Sequence, residues 1–308
     1  MITVLNQYLD SIRENLRLDI ISEDEVIDEL QAHIEDEYQE MREAGLSEEE
    51  AANSCIKLLG SAKLVARQIY EAHSQGTWHQ ALLASVPHLL FAVLFALNWW
   101  QGIGWMTITL GIVFGIAVYG WLHGRPVWLF PWLGYYSVPV LVAGLLLLYL
   151  PRGWSWLAIV IYLPLAIWLV WSFTAKTIGR DWLYCALMML PVPIIIGWFL
   201  AAGKEGEFLR LSFEYIGYFA PGIGMTFMVL AITVATFIRL RQRWLKLVLL
   251  PISGILTLAM VAFYSEGRLT FLSFLILTLI MAGLLVSPAL MERRLRHVKR
   301  QSRTGDAA

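Results

Sequence analysis

The residues near the start of the chain that are best suited to chemistry are Glu29, His33 and Glu37, which are spaced four residues apart. This spacing puts two carboxylates and an imidazole on one helix face, where they could bind a metal ion together with Asp36. Metal sites usually take ligands from more than one element, and this region has no second His or Cys cluster. We therefore interpret these residues as part of a solvated acidic face, and we predict neither a metal site nor a cofactor.

Two further polar residues stand out because they lie in the apolar part of the chain: His88, directly after Pro87, and Asn98. An imidazole at membrane depth can hydrogen-bond a neighbouring helix or bind a ligand or proton, and we favour the first role for His88. The apolar stretches contain essentially no Asp, Glu, Lys or Arg, which disfavours a proton-coupled pump. Because no nucleophile–base pair and no known catalytic motif occurs, we predict that the protein is not an enzyme and has no catalytic residues.

The elements that position the acidic face are predicted to be three or four short amphipathic helices. Apolar residues recur every three or four positions, capping boxes mark helix starts, and glycines mark helix ends. We predict an all-α head at residues 1–75, followed by a hinge at residues 76–80 with Gly76 as its flexible point. The first apolar stripe consists of Leu5, Leu9, Ile12 and Leu16. The boundary residues are Ser22 with Glu25, Gly45, Ser47 with Glu50, Gly60 and Ser61.

The head also resembles a known family. Residues 25–51 read EVIDELQAHIEDEYQEMREAGLSEEEA and residues 58–69 read LLGSAKLVARQI, which is similar to the HAAS domain and its relative, the permease prefix domain. The resemblance implies a cytoplasmic signalling or interaction module of bacterial membrane proteins, often linked with PadR-like transcription regulators; the prefix type precedes transporter permeases. The partner-binding residues predicted on this pattern are Leu30, His33, Ile34, Glu35, Gly45 and Leu46.

The rest of the chain is predicted to be a bundle of about eight transmembrane helices, residues 81–290. With 58% hydrophobic residues, the chain contains about eight apolar stretches near the roughly 20 residues that a helix needs to cross a bilayer. Many of the 14 tryptophans cluster at the ends of these stretches, as in interfacial aromatic belts. The predicted spans are residues 81–100, 103–122, 128–150, 154–173, 182–202, 216–238, 247–264 and 269–290.

Charge predicts the orientation of these spans. Residues 1–79 hold 17 Asp and Glu against 6 Lys and Arg, whereas the remainder is basic. If the head is inside, the inner loops and the basic tail, residues 291–308, hold 13 Lys and Arg against 4 in the outer loops. The start of the chain lacks the regions of a cleaved signal peptide. We therefore expect a multi-pass protein of the bacterial inner membrane with both termini in the cytoplasm.

Two functions remain open on this basis. We favour a non-enzymatic bacterial membrane signalling or regulatory protein, whose head binds a partner such as a PadR-like regulator and whose body senses lipid, envelope stress or a small apolar ligand. The alternative is a transporter or permease for an uncharged or lipid-like solute. An intramembrane enzyme would need polar residues that converge at one depth, and the sequence does not supply them. The lipid bilayer is an expected partner, and direct nucleic-acid binding is not expected.

Two contacts are predicted from local patterns. The small-residue motifs Ala92–Ala96 and Gly111–Gly115 permit close helix approach, and we favour packing within one bundle over self-association into a homo-oligomer. The acidic face Glu35–Glu40 is expected to rest, in a switchable way, on the basic loop Arg239–Arg243 or on the basic tail. The alternative is a head that tumbles freely, in which case these charges reflect only the positive-inside bias.

Overall fold

The computed structural model describes residues 3–16, 20–122, 128–135, 182–203 and 213–305, together with Val160 and Pro164. The elements in these residues are helices. They group into two compact units. The head unit contains the described residues up to Gln75 together with Arg241–Arg243, and the body unit contains the other described residues.

Four helices form most of the head unit. Their apolar faces meet in one core, as the spacing of the apolar residues predicts, and the four stripe residues of the first helix are at most 6% exposed. Burial of each such leucine or isoleucine contributes about 1.5–3 kcal/mol. The helices are α1 Thr3–Asn15, α2 Ile20–Glu43, α3 Glu48–Leu59 and α4 Ala62–His73.

Turn chemistry in the head unit follows the sequence pattern with one exception. Ser47 and Glu50 form both hydrogen bonds of a capping box at the start of α3. Gly45 and Gly60 end α2 and α3 with φ of 91° and 90°, a region that L side chains rarely adopt. The prediction for Ser22 is wrong, because α2 already begins at Ile20 and Ser22 therefore lies inside the helix.

Two buried side chains, Tyr8 and Cys55, make contacts between different elements of the head unit. The hydroxyl of Tyr8 in α1 donates a hydrogen bond of 2.9 Å to the carbonyl oxygen of Gly60, and burial raises the pKa of this tyrosine. The Cys55 thiol of α3 lies 3.8 Å from the sulfur of Met41 in α2. Burial, and to a smaller extent the charge of Glu37, raises the pKa of that thiol. The head unit therefore holds Cys55 as a protonated core residue rather than as a reactive thiolate.

The described body unit consists of eight helices and one 3-10 turn. Thr77 and Gln80 form a capping box at the start of its first helix, so residues 78–80 of the predicted hinge are helical. The elements are α5 Trp78–Ala96, a 3-10 turn Trp99–Gln101, α6 Ile103–Leu122, α7 Leu129–Gly134, α8 Trp182–Met189, α9 Pro191–Ala201, α10 Phe213–Arg239, α11 Arg243–Tyr264 and α12 Phe271–Gly305.

Six helices in the described residues are long and apolar enough to cross a membrane. They match six of the predicted spans within a few residues at each end. Of the other two, residues 154–173 lie outside the described residues except for Val160 and Pro164, and residues 128–150 are described only as far as Tyr135. The six candidate spans are Trp78–Ala96, Gly104–Leu122, Trp182–Ala201, Glu214–Arg239, Arg243–Tyr264 and Phe271–Glu292.

Small residues bring α5 and α10 close together. A Cβ atom added to Gly224 of α10 would lie 3.2 Å from the carbonyl oxygen of Ala92 and 3.7 Å from the Cβ of Ala96. The Ala92–Ala96 motif therefore lies against α10 within the bundle, as the favoured interpretation predicts, and self-association stays a separate prediction. Gly111 and Gly115 of α6 have no such neighbour among the described residues, so the role of that motif stays a prediction.

Candidate functional site

The residues predicted to bind a partner occupy two kinds of position on the head unit. His33 and Glu35 are exposed on α2, and Gly45 and Leu46 lie in the turn that follows it. Leu30 is half-buried against the core, and Ile34 is only 2% exposed. The surface that a partner could contact is therefore the exposed side of α2 with the following turn, while Ile34 holds that helix on the core.

The acidic set on α2 is solvated. Glu29, His33, Asp36 and Glu37 are all exposed, and Gln31 donates a hydrogen bond of 3.3 Å to the carboxylate of Glu35. Within the described residues, no three His, Cys, Asp or Glu side chains are placed so that they could hold a metal ion. This face offers a partner negative charge and hydrogen-bond acceptors.

The loop between α10 and α11 belongs to the head unit, where it contacts the end of α4. The hydroxyl of Ser74 donates to the carbonyl oxygen of Arg241 at 2.9 Å, and the guanidinium of Arg241 donates to the carbonyl oxygen of Glu71 at 3.3 Å. The guanidinium carbon of Arg243 lies 5.6 Å from the centre of the Tyr70 ring. Cations at a helix C-terminus interact favourably with its exposed carbonyl groups. This loop contact, formed by Tyr70, Glu71, Ser74, Arg241 and Arg243, differs from the predicted contact with Glu35–Glu40.

The first residues of the body unit are held by the end of α10. The N–H of Gly76 donates to the carbonyl oxygen of Ile238, and Arg239 donates to the carbonyl oxygen of Gly76, each at 2.9 Å. The Arg239 guanidinium carbon lies 4.5 Å from the centre of the Trp78 ring, in cation–π geometry. A Cβ on Gly76 would lie 2.5 Å from Cγ2 of Ile238. Glycine therefore serves here to let two backbones approach closely.

The two polar residues predicted at membrane depth lie in different environments. His88 is 1% exposed inside α5, and its ring meets that of Tyr135 edge to face with 5.3 Å between the ring centres. Asn98 follows the end of α5 in a left-handed turn with φ of 55° and is exposed. Its side-chain oxygen accepts a hydrogen bond of 3.3 Å from the indole N–H of Trp100. The structure brings His88 together with Tyr135 and leaves Asn98 at the helix end.

A charged residue is buried where the sequence analysis predicts none. Lys246 lies inside α11 with 0% of its surface exposed, although its position between a basic loop and an apolar stretch suggests an interfacial residue. Its ammonium nitrogen is 5.1 Å from the ring centre of Phe237 and 5.6 Å from that of Tyr184. These aromatic faces favour a cation at the start of the helix. Tyr184 is far from Lys246 in sequence, so no local pattern brings the two together.

Comparisons with protein-family models, with curated protein sequences and with solved structures found no match for this chain.

Proposed function

We propose that the protein is a non-enzymatic signalling or regulatory protein of the bacterial inner membrane, in which the head unit reports the state of the membrane helices to a cytoplasmic partner. The observation that carries this proposal is the loop contact. The segment that joins two candidate spans, α10 and α11, is part of the same compact unit as α1 to α4.

The loop contact gives a physical route for a signal. Arg241–Arg243 is covalently continuous with both α10 and α11, so a shift of either helix displaces these residues. The guanidinium of Arg241 donates to the backbone carbonyl of Glu71, and the backbone carbonyl of Arg241 accepts from the short side chain of Ser74. A displacement therefore acts on the last turn of α4. Nearer the start of the same helix, Val65 and Ala66 belong to the core shared with α1 and α3. Coupling of this kind requires an element with two arrangements, and we assign that role to the end of α4.

The exposed side of α2 supplies the surface for the partner. It carries His33, Glu35 and neighbouring acidic residues, and the resemblance to the HAAS domain points to a PadR-like regulator. We place this surface in the cytoplasm, since the positive-inside bias of an eight-span arrangement puts both termini there. The two spans beyond the six described are assigned to residues 128–150 and 154–173. We infer no direct contact of this chain with nucleic acid.

The test is site-specific photocrosslinking of the full-length protein in living cells. A photoreactive amino acid at His33 or Glu40, both exposed on α2, should capture a PadR-like regulator that mass spectrometry identifies. The same amino acid at Lys63, which is exposed on α4, serves as the matched control and should not capture it. Capture of no transcription regulator from any position along α2 would contradict the proposed partner.

Transport of an uncharged or lipid-like solute is the second candidate function. The observation that favours it is the burial of a polar residue, His88, next to Pro87 at the middle of the span Trp78–Ala96. Discontinuities in membrane helices of transporters often lie beside the substrate site. Reconstituted protein that moves a labelled uncharged lipid between leaflets faster than empty vesicles would favour transport over signalling.

A further inference from the structure

We propose that His88 and Tyr135 form a buried site that binds one uncharged hydroxyl group. Each residue is 1% exposed, and the two rings are in edge-to-face contact with an interplanar angle of 73°. Within the part of the chain that the structure describes, neither Nδ1 of His88 nor the hydroxyl of Tyr135 has a hydrogen-bond partner. Buried polar atoms are almost always hydrogen-bonded. Two exceptions on touching side chains therefore point to a bound group that the described residues do not supply.

The surrounding packing fixes both residues in place. Tyr135 stacks on Phe91 with 4.6 Å between ring centres, and Phe227 of α10 lies 5.4 Å from Phe91 and 6.3 Å from Tyr135. His88 and Phe91 are three residues apart on α5, so they lie on the same side of that helix. Because these rings restrict one another, His88 and Tyr135 cannot easily turn away to find other partners.

The chemistry of the two polar atoms selects the ligand. A hydroxyl group both donates and accepts, so it suits the imidazole nitrogen in either tautomer and the phenol at the same time. The rings of Phe91 and Phe227 pack near the phenol ring of Tyr135. These rings offer an anion no compensation for lost hydration, and a neutral hydroxyl loses less hydration than a cation on entering a buried site, so we assign a neutral group. The hydroxyl can come from a trapped water molecule or from an alcohol-type lipid dissolved in the membrane.

The decisive variant is Tyr135→Phe in the full-length protein in detergent, because it removes the hydroxyl and keeps the ring that stacks on Phe91. If a hydroxyl group is bound, the variant loses a hydrogen bond and its Tm falls by a few degrees. If the site is empty, removal of an unpartnered polar group leaves Tm unchanged or raises it; this result would overturn the proposal. Tyr218→Phe is the matched control, since Tyr218 is 62% exposed and bonds Glu266 at the surface.

The two sources are distinguished with dodecan-1-ol and dodecane, which differ by one hydroxyl group, added to exhaustively delipidated protein. A lipid alcohol site predicts that dodecanol raises the Tm of the parent and of Tyr218→Phe but not of Tyr135→Phe, while dodecane has no effect. A water site predicts the lower Tm of Tyr135→Phe with no difference between the two additives. Both sources are rejected if two results occur together. Dodecanol stabilises Tyr135→Phe and the parent equally, and the Tm of Tyr135→Phe without additive is not lower than that of the parent.

A second measurement covers the case in which Tyr135→Phe does not fold. In protein labelled with ¹⁵N-histidine, the Nδ1 resonance of His88, assigned by its loss in His88→Phe, reports hydrogen bonding at that atom. The site predicts a hydrogen-bonded Nδ1 shift in the parent. An Nδ1 shift typical of an imidazole nitrogen without a partner would overturn the proposal.

Discussion

The indole N–H of Trp132 donates a hydrogen bond of 2.9 Å to the main-chain carbonyl oxygen of Leu83. This carbonyl lies four residues before Pro87, which has no N–H and so cannot supply the usual helical partner. Trp132, on α7, is 0% exposed. In a membrane helix no water is present to bond the carbonyl that proline leaves without a donor. The neighbouring indole N–H supplies that hydrogen bond instead. The bond joins α5 to α7.

The first prediction tests this replacement with a double-mutant cycle. Trp132→Phe should destabilise the protein through lost packing and through the carbonyl of Leu83, which then has no donor; the second effect is about 1–3 kcal/mol. In a Pro87→Ala background the restored N–H at position 87 should satisfy Leu83, so Trp132→Phe should cost less. The measurement is the unfolding free energy of the four proteins in mixed micelles.

The cycle has a clear negative result. If Trp132→Phe costs the same with proline or alanine at position 87, the indole contributes packing alone and the hydrogen bond has no energetic role. Trp198→Phe is a suitable comparison. Trp198 also donates from a buried indole, but its acceptor is the side chain of Thr226 rather than a carbonyl freed by proline, so its cost should not depend on residue 87.

The second prediction concerns Gly76. Gly76→Ala should destabilise the protein by about 1–3 kcal/mol, because the new methyl group would lie 2.5 Å from Cγ2 of Ile238 and would break the close backbone approach. Gly111→Ala is the matched control, since no atom lies within 4 Å of a Cβ at that helical position among the described residues. Thermal unfolding of both variants checks the expectation. Equal Tm values would show that residue 76 tolerates a side chain.

The third prediction is a pH dependence at the start of α3. Hydrogen bonds from the hydroxyl and the N–H of Ser47 lower the pKa of Glu50 below its ordinary value of 4.5. A lowered pKa in the folded state means that the carboxylate stabilises α3 above pH 4.5 and loses this effect as the pH falls through the folded value. Glu50→Gln should remove this acid-dependent part. Amide exchange of residues 48–51, corrected for intrinsic rates, should accelerate on acidification in the parent and change less in the variant.

The parts of the structure that follow from sequence are those set by neighbouring residues. The Ser47–Glu50 box, the left-handed Gly60 and the stripe from Leu5 to Leu16 each depend on residues a few positions apart, so periodicity and turn chemistry predict them. The bond between Trp132 and Leu83 joins residues 49 positions apart, and Pro87 indicates only that some donor is needed. The contact of Lys246 with the ring of Tyr184 likewise joins residues that are distant in sequence, so no local pattern predicts it.

Among the candidate binding residues, too, the sequence predicts what local patterns determine and misses what depends on distant residues. His88 is found from sequence because a histidine in an apolar stretch is conspicuous, whereas Tyr135 is missed because a tyrosine among aromatic residues is not. Only the packing of α7 on α5 makes the phenol a polar neighbour of the imidazole. The position predicted for the loop Arg239–Arg243, against Glu35–Glu40, differs from the observed loop contact for a related reason. Net charge suggests the acidic face of α2 as the partner of the arginines, but the arginines bond backbone carbonyls and an aromatic ring of α4.

The fourth prediction fixes the orientation of the spans. In a background that replaces the two buried native cysteines with alanine, Glu266→Cys lies in the exposed turn between α11 and α12 and should react with a membrane-impermeant thiol reagent in intact cells. Gln242→Cys, in the turn between α10 and α11, should react only after permeabilisation. The opposite pattern would place the head unit outside the cell and reverse the proposed topology.

The fifth prediction separates the loop contact from the contact expected on charge alone. Arg241→Ala removes the hydrogen bond to the carbonyl oxygen of Glu71 and loosens the segment that Ser74 binds. Amide exchange should therefore accelerate at the end of α4, residues 70–74, and stay unchanged across Glu35–Glu43. The measurement is hydrogen–deuterium exchange on the full-length protein in lipid nanodiscs. Arg42→Ala is the control, since Arg42 bonds the carbonyl oxygen of Leu46 at the end of α2 and should affect only that turn.

Salt provides the second half of this test. The distance over which surface charges interact is about 8 Å at physiological ionic strength and shortens as salt is added. A head held by the acidic face of α2 would therefore show faster exchange across Glu35–Glu43 at high salt. Hydrogen bonds to backbone carbonyls depend on the placement of Arg241 and much less on long-range charge, so exchange at residues 70–74 should change little with salt. Salt-dependent exchange on α2 with no effect of Arg241→Ala on α4 would refute the loop contact, and with it the proposed signal route.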